Sequence, residues 1–195
     1  MRDLNQWKER LTKDLEPLLA LKDPRPRISA YDNLPFAIFV YPPEHEFGLN
    51  EEAGRLATRL GNTGKRVTTV SLAERLWTAL EREGYVIDEL AKAERDSGWD
   101  AMATTLHDIL RRTQPLEKLV AEQLPGDAKP ERDIVLITRA GSLFPFYRTS
   151  ALLENLHGLV GVPTVLFYPG TLEGPSGLRF MGTLDPEHNY RPRIF

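Results

Sequence analysis

Apolar runs at 36–41, 66–70, 133–138 and 163–168, each bounded by turn residues, predict four short strands. The first is unbroken and stops at Pro42-Pro43, the pattern of a strand buried on both faces. Elsewhere the apolar spacing changes to three and four. Leu4, Trp7, Leu11, Leu15, Leu18 and Leu19 form one stripe over 3–21, with Asp3 as N-cap and Asp23-Pro24-Arg25-Pro26 as the stop. A second helix is predicted over 51–60, capped by Asn50, with Ala53, Leu56, Ala57 and Leu60 facing inward and Gly61 and Gly64 closing it. Ser71 caps a third, with Glu74 placed for a capping box and Ala73, Leu76, Trp77 and Leu80 along it. Helical spacing continues through 86–95, 101–112 and 115–124, and a last helix over about 146–157 carries Leu152, Leu153 and Leu156.

Strands that alternate with helices pack as a parallel sheet with right-handed crossovers. The expected architecture is one α/β domain over 1–195, Rossmann-like without a phosphate-binding loop, with strand order 2-1-3-4. The amphipathic helix at 1–22 either covers one face of that sheet or docks on another chain, and 85–130 is a helical insertion. Pro169-Gly170 predicts a sharp turn after the fourth strand. Residues 178–182 then form an antiparallel edge strand, Leu178 and Phe180 on one face and Arg179 and Met181 on the other. Tyr190, Ile194 and Phe195 supply apolar anchors for an ordered C-terminal tail, unlike most chain ends.

A net charge of −3 argues against chain-wide attraction to DNA or to an anionic membrane, so direct DNA binding would need a local basic patch. With no cysteine, disulfides and thiolate metal sites are excluded. The N-terminal residues carry no apolar signal core, and no stretch approaches the roughly 20 apolar residues of a spanning helix. A cytoplasmic protein with no membrane association is expected.

Ligands of open α/β sheets bind beyond the carboxyl ends of the strands. Three segments should meet there: Tyr41-Pro42-Pro43-Glu44-His45-Glu46, Arg139-Ala140-Gly141-Ser142, and Pro169-Gly170-Thr171-Leu172-Glu173. Arg139 and the Gly141-Ser142 turn offer a guanidinium and helix-terminal amides to an anion. Equally, Gly141 serves a tight turn and Arg139 pairs with Glu173 or Asp185. Gly61-Asn62-Thr63-Gly64-Lys65 lies at the wrong end of the sheet for a phosphate loop, and strand three ends without a magnesium carboxylate, so ATP turnover is not expected. Glu44, His45 and Glu46 are adjacent and would diverge on extended backbone, and Ser142 lacks the second small residue of a nucleophile elbow. No metal, cofactor or catalytic residue is implied. Phe144, Phe146, Tyr147 and Arg148 combine the aromatic and arginine side chains that anchor protein interfaces, but Pro145 also suits the first turn of a helix, and core burial of two of the three aromatics is expected before exposure of all.

The runs YPGTLEG, GLRFMG and HNYRP, set within RAGSLFPFYRTSALLENLHG and VPTVLFYPGTLEGPSGLRFMG, give this chain a family resemblance. More loosely, LPFAIFVYPPEHEF and RVTTVSLAERLW extend it. The chain resembles the BrxB-like family of the BREX bacteriophage-exclusion systems. That resemblance implies a cytoplasmic antiviral component working beside a DNA methyltransferase, a large ATPase and an alkaline-phosphatase-like protein, and it brings no catalytic residue. The expected function is a non-catalytic adaptor among BREX proteins, contacting the phosphatase-like component. The alternative is a nucleotide- or nucleic-acid-binding module using Arg139, Gly141, Ser142 and Arg179, and a third reading is a hydrolase using Glu44, His45 and Glu173. Candidate ligand or partner residues are Arg139, Gly141, Ser142, Tyr147, Arg148, Glu173, Arg179 and Arg191. A contiguous basic stripe would favour nucleic acid, and a mixed apolar and arginine patch would favour protein.

Overall fold

A computed structural model describes residues 6–29, 35–174, 177–188 and 190–195. β1 (Phe36–Tyr41) and β3 (Asp133–Thr138) are buried at every position, as are the first seven residues of β4 (Thr164–Glu173). Strands with no polar face need cover on both sides, and helices provide it. On one side α1 (Gln6–Arg10) runs through a wide π turn at Leu11–Leu15 into α2 (Glu16–Leu19), followed by α3 (Arg25–Ile28) and, after β1, by α4 (Glu46–Asn62). Trp7, Leu11, Leu15 and Leu56 meet Phe39, Leu136 and Phe167 there. The predicted stripe of the first helix is thus spent on the sheet, while Asp3 and Leu4 lie outside the described residues.

The opposite face carries α5 (Leu72–Arg82), α6 (Ile87–Ser97), α7 (Trp99–Asp108), α8 (Leu116–Ala121) and α9 (Thr149–Leu156). Leu72, Leu80, Leu110 and Leu152 pack there on Ile38, Val135, Ile137 and Leu166. β2 (Arg66–Ser71) leads into α5, whose Glu74 amide donates to the Ser71 hydroxyl at 3.3 Å, as the capping pattern predicts. Trp77 instead stands 44% exposed, because the buried side of α5 is set by Leu72, Ala79 and Leu80. Among the described residues no helix is long and apolar enough to cross a membrane.

The main sheet runs β2-β3-β4-β1-β6, all parallel, with β6 (Arg193–Ile194) as its last strand. The predicted order 2-1-3-4 is corrected at β1, which lies between β4 and β6. The reason is burial: β4 is covered on both faces and takes two neighbours, so it cannot sit at an edge. β2, with its part-exposed polar residues, takes the edge.

Three boundaries also move. α4 begins at Glu46, straight after the 3-10 turn Pro43–His45, so Asn50 lies inside the helix rather than capping it. α9 begins at Thr149 rather than near 146. Pro169-Gly170 is not a turn: β4 continues to Glu173 and pairs antiparallel with β5 (Gly177–Phe180). Gly170 is required there by close approach, since a Cβ would fall 2.3 Å from the Arg179 carbonyl oxygen. Leu178 and Phe180 are buried and Arg179 faces outward, as the alternation predicts.

At the amino end of the sheet, the buried Lys65 ammonium donates to the carbonyls of Leu21, Glu131 and Lys22 at 2.5, 2.8 and 3.2 Å. The Gly61–Lys65 stretch therefore ends in a structural clasp. The tail is held at the other sheet edge: the Phe195 amide donates to Ile38 at 2.9 Å, and the Val40 amide to Phe195 at 3.1 Å. Tyr190 stands edge-on to Tyr168 at 5.9 Å between ring centres. Deleting residues 190–195 strips the edge of β1 and uncovers Tyr168, which should cost roughly 2–4 kcal/mol and lower Tm by about 5–15 °C in a thermal scan. A truncated chain that melts with the full one would contradict this account of the tail.

Candidate functional site

The ends of β1, β3 and β4 meet around one buried phenol. Tyr41, the last residue of β1, is fully buried, and its hydroxyl donates to the carboxylate of Glu46, the first residue of α4. Burial, and next the neighbouring Glu46 charge, push the phenol far above its ordinary range and keep it neutral. The other Glu46 oxygen is buried with no hydrogen-bond partner among the described residues, and Arg139 Nε lies 3.8 Å from it, an ion pair longer than a hydrogen bond.

Arg139 follows β3 in the left-handed region, at φ 61° and ψ 32°, uncommon for a residue with a side chain. Its guanidinium carbon lies 5.8 Å from the centre of the Phe47 ring. A Cβ on Gly141 would lie 3.4 Å from Met181 Sδ, 3.6 Å from Glu46 Oε2 and 3.7 Å from Pro169 Cγ. All three predicted segments do converge here, and Gly141 lies in the tight 3-10 turn Ala140–Leu143 and is closely packed. The Ser142 hydroxyl donates to the Arg139 carbonyl at 2.8 Å and fixes that turn.

The remaining candidates lie in separate groups. Arg179 donates from Nε to Glu173 at 2.7 Å across the β4–β5 hairpin and reaches the Leu184 carbonyl at 3.3 Å. The partner of Arg139 is therefore Glu46, not Glu173 or Asp185, because the hairpin keeps Glu173 for Arg179. Arg148 is exposed and stands 3.3 Å from Glu187, whose other oxygen accepts from the Tyr190 hydroxyl at 3.2 Å. Tyr147 is buried on the α5–α9 side, 6.1 Å from the His107 ring, and its phenol is pushed up to about 12 by burial and then by the charge of Glu117. Phe144 and Phe146 are partly buried, and Arg191 is exposed. Glu44, His45 and Glu46 go to three environments: Glu44 to solvent, His45 against Trp7 at 6.0 Å, and Glu46 to Tyr41. They occupy a 3-10 turn and a helix start rather than extended chain.

Sequence reasoning did not single out Glu46 and Phe47 together, nor Met181. The available cue was Phe47, an apolar residue straight after a run of Pro and charged residues, at the start of a helix.

The family model described as "BREX protein BrxB" matches residues 68–194 of the chain. A "BREX protein BrxB" from Bacillus cereus (strain H3081.97) is 32% identical over 158 residues, covering 80% of this chain and 80% of that protein. No solved structure matches the chain significantly.

Replacing Tyr41 by Phe leaves a buried carboxylate oxygen without its donor, which should cost about 1–3 kcal/mol. Because folding raises the phenol's pKa, its contribution is whole below the ordinary value of 10.0 and is lost as pH climbs above that value. Urea denaturation across alkaline pH should therefore show a shallower loss of stability for Tyr41→Phe than for the unmodified chain. Identical slopes and equal stability would contradict this reading of the pair.

Proposed function

The chain belongs to the BrxB family, and from that premise we propose that it is a non-catalytic adaptor of a BREX phage-defence complex, working in the cytoplasm and contacting the alkaline-phosphatase-like component. One observation carries this reading. At the carboxyl edge of the sheet Phe47 is 77% exposed, with the Arg139 guanidinium beside its ring. Aromatic and arginine side chains are the usual energetic anchors of protein interfaces.

The charges around that edge are matched within the chain. Arg139 lies by Glu46, Arg179 by Glu173 and Arg148 by Glu187. Such a patch is mixed rather than a basic stripe, and it favours a protein surface over a DNA backbone. Met181 and Pro169 lie close to Gly141 in the same edge.

The test is retention of partners by the tagged chain from cells carrying its full gene neighbourhood. Phe47→Ala should lose most of the phosphatase-like component, a drop of about 30-fold or more if Phe47 is an anchor, while the melting temperature stays unchanged because the side chain is exposed. Leu159→Ala, at an exposed apolar residue beyond α9, should retain the component. Wild-type retention by Phe47→Ala would overturn the proposed contact.

A further inference from the structure

The carboxyl ends of β2 and β3 open into a cleft of about 440 Å³, within the size range of small-molecule sites. Asn50 of α4 forms one wall, Ala73 and Glu74 of the first turn of α5 another, with Thr69, Ser71 and Thr138 between them and Arg139 at the side. Thr138 faces α4 together with Ile134 and Leu136, by the alternation of β3.

Five described polar or charged residues with buried side chains are paired within the chain. Glu52 is held by Arg55 and Arg59, Lys65 by carbonyls, Asp133 by Arg66 and Arg132, Thr149 by Tyr190, and Thr164 by the Val162 carbonyl. The Thr138 residue is only 4% exposed, yet among the described residues its hydroxyl has no hydrogen-bond partner, and it lines the cleft. That hydroxyl opens onto the cleft and is free to donate to a ligand there. Asn50 and Thr69 likewise spend no side-chain hydrogen bond within the described residues, and neither do the two terminal nitrogens of Arg139. α5 adds a helix of 11 residues whose Glu74 amide is capped by Ser71 and whose Leu72 amide continues the β2–β3 ladder, leaving the Ala73 amide as a donor.

We propose that this cleft binds a small phosphate-bearing ligand of mononucleotide size. The terminal nitrogens of Arg139, which its long Nε ion pair with Glu46 leaves open, meet the negative charge, while the Thr69 and Thr138 hydroxyls and the Ala73 amide donate to the phosphate oxygens. Asn50 faces the remainder of the ligand. Donors dominate the lining. Its one carboxylate, Glu74, is 71% exposed and ion-paired with Arg75 at 3.4 Å, so a cation finds no charged cage there. The site goes beyond the adaptor role and does not depend on it.

Isothermal titration of the full chain with inorganic phosphate and then with AMP tests the site. Both should bind, and Thr138→Val, which removes only the hydroxyl, should weaken both by about tenfold or more. Thr69→Glu, at an exposed position, should abolish binding through like charge without changing the ligand-free melting temperature. AMP binding tighter than phosphate identifies a nucleotide-type ligand, and equal affinity identifies phosphate itself; both outcomes support the site. Absence of binding by either probe at millimolar concentration overturns it, as does wild-type affinity in Thr69→Glu. Should Thr138→Val fail to fold, the Thr69→Glu comparison decides alone.

Discussion

Seven consecutive residues of β4 are buried on both faces, paired with β1 from Thr164 to Pro169 and with β3 from Thr164 to Leu166, and the rest of the chain is arranged to achieve that. Each backbone amide and carbonyl in such a strand needs a partner strand, and each side chain needs a helical layer. β3 and β1 supply the strand partners, α1 to α4 one layer and α5 to α9 the other. The same demand then passes to β1, also buried at all its positions, and the C-terminal strand β6 meets it. The last residues of the chain are thus part of the sheet and not a trailing end.

This arrangement has a functional consequence at the carboxyl edge. Once β4 separates β1 from β3, the residues that follow those strands are delivered to the two sides of Pro169, and Glu46 and Arg139 approach across it. The Tyr41 hydroxyl holds Glu46 in place from below. Phe47 follows Glu46 in the same helix turn and is left outside, next to the arginine. An exposed aromatic on an internally neutralised support is suited to a protein contact. Beside it, the β2 and β3 ends keep donors unspent in a cleft, so two chemically different surfaces share one edge.

Much of this was legible in the sequence. The four strands are apolar runs too short for helices, and the helical stripes of Trp7, Leu11 and Leu15 or of Leu56 and Leu60 are spent on the core as their spacing requires. Arg139, Gly141 and Ser142 were readable because a polar turn straight after a buried strand marks the carboxyl edge. The order of the strands was not, because Pro169-Gly170 reads locally as a turn, which shortens β4 and hides how deeply it is covered. Only the tertiary contact with the Arg179 carbonyl shows why that glycine belongs in a strand. The Tyr41–Glu46 pair depended on α4 starting at Glu46 and not past Asn50, a shift no local signal announced. β6 is two residues long and has no pattern of its own.

The central claim is that the carboxyl edge of the sheet is the working face of the chain. Hydrogen exchange of the backbone amides, measured on the chain alone and within the assembled defence complex, tests it most directly. Protection gained at 42–50 and 139–148, with little change at 6–29, is the result this account predicts. Protection gained over 6–29 with the carboxyl edge unchanged would contradict it.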